Sequence, residues 1–191
     1  MRKLMLFLAA AMMMAGTGCG SKHMETVSMS LDDYVLADNQ SAIVFFRDTS
    51  FGGAIQAPIV ESRGGDIEFV SIISANTKFL HITTAGKHLY VVGGEGSNML
   101  EADLNPQKFY YVRVSPRMGF AKARFVFEPV LMTDEKLQKS LSGCTWIASG
   151  ASAQTWFGEN KASLMSKAGS AAEAEKRAVI SSGSGIDMLI Q

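Results

Sequence analysis

The chain has 191 residues, with 18 Lys and Arg against 18 Asp and Glu, so its formal net charge is zero, and 47% of its residues are hydrophobic. That balance argues against a nucleic-acid partner, which favours a strongly basic face, while the apolar share suffices for a buried core. The only cysteines are Cys19 and Cys144, which excludes a small domain stapled by several disulfides and leaves stability to packing.

The chain opens with Met1, Arg2 and Lys3, continues through an apolar run from Leu4 to Ala15, and reaches Gly16, Thr17 and Gly18. A charged start, a short apolar stretch and small residues form the layout of a secretory signal peptide, here residues 1–18. A permanent spanning helix needs roughly 20 apolar residues, so the run is too short to serve as one. The segment Gly16-Thr17-Gly18-Cys19 resembles a bacterial lipobox, with Gly16 standing where leucine is commonest. It implies lipidation of Cys19, whose thiol would take the diacylglyceryl group as a thioether. Ordinary cleavage nearby, releasing a soluble periplasmic protein, is the alternative. Removal of Arg2 and Lys3 leaves the mature chain at −2.

Residues 19–40 are polar without a sustained period and read as a tether, although part of them (Val27 to Leu36) could pack as an edge strand or short helix. From Ser41 to about residue 132 the chain reads as all-β. Apolar, β-branched and aromatic runs recur at Ala42–Arg47, Ile55–Glu61, Ile67–Ile73, Lys78–Thr83, Lys87–Val92, Met99–Leu104, Phe109–Ser115 and Lys122–Val130. Leu100, Ala102 and Leu104 alternate with Glu101 and Asp103, so one face is buried and the other wet. Ala42–Phe46 is apolar on both faces and belongs in the middle of a sheet. Arg63-Gly64-Gly65-Asp66, Thr84-Ala85-Gly86 and Asn105-Pro106 supply turn chemistry and read as hairpins. Eight short strands point to a mainly β fold, an antiparallel, immunoglobulin-like β-sandwich, with a closed barrel as the second choice.

Residues 133–191 change character and read as a helical, partly flexible extension. Thr133 can cap a short helix bearing Leu137 and Leu141 and stopping at Gly143. Glu159–Lys167 and Ala171–Ser181 have helical propensity, and Trp146, Trp156 and Phe157 are expected to fold back onto the sandwich.

Several segments together carry a family likeness. These are Ala42-Ile43-Val44-Phe45-Phe46-Arg47 running into Ser50-Phe51-Gly52-Gly53-Ala54, then Ala85-Gly86-Lys87-His88, Lys108-Phe109-Tyr110-Tyr111-Val112-Arg113-Val114 and Arg117-Met118-Gly119-Phe120. On them, Ser41 to Val130 resembles the family called domain of unknown function 2846, small bacterial envelope lipoproteins. The resemblance covers roughly half the chain plus the lipobox. It implies a β-sandwich lipoprotein and carries over no catalytic residues.

No constellation for catalysis stands out, and no cofactor is expected. His23 lies in the tether, and His81 and His88 flank the Thr84–Gly86 turn without a clear third ligand, a poor zinc pattern. Gly93-Gly94-Glu95-Gly96-Ser97 lacks the lysine of a phosphate loop and reads as a hairpin connection. Cys144 reads as a buried structural thiol. Phe109, Tyr111 and Arg113 share a strand face, an aromatic and arginine pattern suited to a partner contact unless the C-terminal segment covers it. The expectation is a non-enzymatic lipoprotein, held to a membrane by lipid on Cys19 and serving an envelope protein partner. Gly20 after the cysteine points to the periplasmic face of the outer membrane. The second expectation is a small-ligand or glycan-binding module using the end near Phe51–Ala54 and Arg117–Phe120.

Overall fold

The computed structural model describes residues 23–94, 98–119, 123–173, 177–180 and 186–187; the leader and Cys19 lie outside them. In chain order the strands are β1 (Met24–Thr26), β2 (Gln40–Arg47), β3 (Ala57–Arg63), β4 (Asp66–Ile73), β5 (Thr77–Thr84), β6 (Gly86–Val92), β7 (Asn98–Leu104), β8 (Lys108–Met118) and β9 (Ala123–Val130). Helix α1 (Glu135–Ser142), β10 (Thr145–Ser149), helix α2 (Ala153–Glu173), β11 (Arg177–Ile180) and β12 (Ile186–Asp187) follow.

The strands form two sheets. One has the order β1-β10-β5-β2-β8-β12, with β9 also on β8, and the other has the order β11-β7-β6-β3-β4. Period-two alternation builds the layer between them. Ile43 and Phe45 of β2, Tyr110 and Val112 of β8, and Phe125 and Phe127 of β9 meet Ile59, Tyr90, Leu100 and Leu104 from the second sheet. The fold is therefore a mainly β sandwich. Most pairings are antiparallel, but β2 with β8, β10 with β5 and β11 with β7 run parallel.

Both outer faces are also partly covered. Ala42, Val44 and Phe46 point away from the inter-sheet core into a second cluster with Leu137 and Leu141 of α1 and with Leu36. That explains why β2 is apolar on both sides. Asp134, one residue beyond the expected Thr133, caps α1 by accepting a hydrogen bond from Lys136 N at 2.9 Å. On the opposite face Leu164 and Ala168 of α2 pack on Val60, Ile67, Val91 and Met99, with Trp156 and Phe157 beside them.

Three expectations change. Arg63-Gly64-Gly65-Asp66 does close a hairpin, with Gly64 and Gly65 at φ of 58° and 91°. By contrast, the turns at Thr84–Gly86 and Asn105–Gln107 are corners where the chain passes from one sheet to the other. Of the two readings of residues 23–40, the packed one holds rather than the tether: β1 pairs with β10, Leu31–Asp33 forms a 3-10 turn within Val27 to Leu36, and Leu36 is buried. Helical propensity over Ala171–Ser181 is overridden where Arg177–Ile180 adds to β7 as a strand.

Candidate functional site

A polar cluster lies between the sheets at the end where β5 finishes and β6 begins. Glu61 on β3, His88 and Tyr90 on β6, and His81 on β5 all point inward. Glu61 is 3% exposed. Its Oε1 accepts from His88 Nδ1 at 2.7 Å and from Arg63 Nε at 2.9 Å, and its Oε2 accepts from Arg63 at 3.0 Å. His88 Nε2 lies 2.8 Å from the Thr84 carbonyl oxygen. Both ring nitrogens of His88 thus face oxygen atoms.

Burial pushes the Glu61 carboxyl up, but hydrogen bonds and charge from His88 and Arg63 outweigh it and bring it down to about 2. His81 Nε2 sits 3.9 Å from Glu61 Oε2, without a hydrogen-bond partner among the described residues. Burial lowers this histidine to about 4, against the pull of Glu61. Burial likewise holds the Tyr90 phenol far above its ordinary range. The arrangement is a carboxylate held by His88 and the Arg63 guanidinium beside a neutral imidazole, that of His81. It can lock strands of both sheets together and respond to acid, and among the described residues no hydroxyl or thiol nucleophile is seen hydrogen-bonded to either imidazole. Among the described residues, no group of three or more His, Cys, Asp or Glu side chains is placed to hold a metal ion.

Sequence reasoning weighed His81 and His88 only as a poor zinc pattern, and missed Glu61. The two histidines come together across the sandwich because their turn is a corner between sheets. Glu61 carries no local signal, since it is brought in only by the pairing of β3 with β6.

The proposed partner face on β8 is occupied by this chain. Phe109 and Tyr111 are 3% and 4% exposed and pack in the cluster beneath α1. Arg113 reaches further out, with Nε 3.2 Å from Asp48 and the guanidinium 5.3 Å from the centre of the Phe46 ring. The cover is α1 with Trp146 at its margin, while Trp156 packs on the other sheet. Cys144 is buried, and burial raises its thiol to about 11, so it is inert at neutral pH. Neighbouring Lys78 donates to the Leu141 carbonyl at 2.5 Å and lies over the Trp146 ring.

At the other end of the sandwich Arg47, with no exposed surface, donates to the carbonyls of Ile55 at 2.7 Å and of Phe51 and Gly52 at 2.8 Å each. This fixes the loop between β2 and β3 beside Pro116, and leaves Phe51 54% and Met118 84% exposed. No helix among the described residues is long and apolar enough to cross a membrane. Comparison with protein-family models, curated proteins and solved structures finds no match to this chain.

Proposed function

We propose that this protein is a bacterial envelope lipoprotein, lipidated on Cys19, whose β-sandwich acts as a non-catalytic binding or structural module. The observation that carries the reading is the charged start, short apolar run and Gly16-Thr17-Gly18-Cys19 segment at residues 1–19, four residues before the described fold begins at His23. Several acyl chains anchor firmly, since each buried methylene contributes about 0.8 kcal/mol. Gly20 favours the outer membrane.

β1 runs antiparallel to β10, and β10 parallel to β5, so the N-terminal end of β1 points away from the end bearing Phe51 and Met118. A short link from Cys19 then turns that apolar end outward from the bilayer, where an envelope protein can reach it. Mass spectrometry of the mature N-terminus tests the anchor: a diacylglyceryl-modified Cys19 is expected, and an unmodified N-terminal peptide overturns it. Cross-linking from Phe51 and Met118 positions tests the partner surface.

A further inference from the structure

A cleft of about 450 Å³ runs along the open side of the sandwich, between β4, the edge of the second sheet, and strands β5, β10 and β1 of the first. Its walls are mostly apolar, with Met24, Val27, Val70, Phe79, Ile82 and Ile147 prominent. Its volume falls within the roughly 300–1,000 Å³ range of small-ligand sites, which are typically apolar with a few polar groups. The register of β3 with β4 passes from Ile59–Ser71 to Val60–Phe69, which leaves Val70 as a bulge and turns it toward the cleft. Ser71 also lines the cleft. It is 1% exposed, and its Oγ has no hydrogen-bond partner among the described residues. A buried hydroxyl without a partner is destabilising, so it marks a place where a ligand oxygen would be stabilised.

We propose that this cleft binds one hydrocarbon chain of a membrane lipid, with Ser71 Oγ donating to its carboxyl or ester oxygen. The inference rests on the proposed anchor. Met24 lines the cleft and is five residues from Cys19, a span of about 17 Å when extended. Lipidation of Cys19 therefore holds the mouth of the cleft next to a bilayer.

Cells producing the full chain are fed a diazirine-bearing palmitic acid and irradiated, and the protein's adducts are mapped by mass spectrometry. Fatty-acid or phospholipid adducts are expected on peptides spanning Val70–Ile82 and Ile147–Ser149. Ile82 is 38% exposed, so Ile82→Glu keeps the fold while placing a charge in the cleft, and it should reduce those adducts about ten-fold or more. Val179→Glu, at an exposed position on β11 at the opposite edge of the second sheet, should leave them unchanged. Absence of cleft adducts overturns the proposal, as does equal labelling of Ile82→Glu with an unchanged melting temperature. An adduct joining the cleft to the Cys19 peptide also overturns it, by assigning the cleft to the protein's own acyl chain. Failure of the anchor is read separately, from the N-terminal mass of the same sample.

Discussion

The two ends of the sandwich each bury a charge, and they satisfy it by different means. Among the described residues Arg47 has no carboxylate partner: three loop carbonyls and the face of Phe125, 5.1 Å from the guanidinium, surround it. Glu61 is instead held by other ionisable groups, Arg63 and His88, with His81 facing it from the opposite sheet. A guanidinium bound to carbonyls keeps its charge throughout the usual pH range, so the Arg47 end is a permanent clamp on its loop. A carboxylate bound to histidine and facing another is sensitive to protons. One end is fixed and the other titrates.

The largest effect should come from Arg47→Met, which leaves three carbonyls near the core without their donor. We expect a loss of about 3–5 kcal/mol in denaturant unfolding, together with proteolysis within residues 48–56. Retention of the loop's protease resistance would show that the clamp is dispensable. Glu61→Gln should cost somewhat less, about 3 kcal/mol, because the amide oxygen still accepts a hydrogen bond while the buried charge facing Arg63 is lost.

The comparison is sharpened by pH. His81 is lowered from 6.5 to about 4, so between these values the unfolded chain binds more protons than the folded one. The stability it confers is complete above pH 6.5 and is lost as pH falls toward 4, by about 2–3 kcal/mol. Glu61, lowered from 4.5 to about 2, adds a second loss as pH falls from 4.5 toward 2. His81→Phe should flatten the first part of the profile and leave the second, as measured by melting temperature against pH. Arg47→Met should lower the whole curve without changing its shape. A wild-type profile flat from pH 7 to 4 would remove the contrast between the ends. The smallest effect is expected for Gly64→Ala in the β3–β4 hairpin: φ is +58° and nothing lies within 4 Å of the added Cβ, so only backbone strain of about 1 kcal/mol is at issue.

Much of the strand content was legible. The alternation of Leu100, Ala102 and Leu104 with Glu101 and Asp103 corresponds to β7, and the two-faced apolar run Ala42–Phe46 lies on β2, buried between two layers. Glycine at positive φ made the Gly64-Gly65 hairpin readable, because two such residues favour a tight reversal. The corners at Ala85 and Asn105–Gln107 were not distinguishable from hairpins, since turn chemistry reverses the chain without specifying which sheet receives the next strand. The face of Phe109, Tyr111 and Arg113 could be read, but not that α1 covers Phe109 and Tyr111.

The sequence by itself determined which residues alternate inward, where the chain turns, and the chemical character of Cys19 and its flanking segment. These are local properties, set by side-chain period, backbone preference and residue type. Only the tertiary structure decided that Glu61 meets His81 and His88, that Arg47 closes its own loop, and that Met24 and Ser71 line one cleft. Those contacts depend on strand order and on the crossing between sheets, which are selected by burial summed over the whole core and leave no mark on a short stretch of chain.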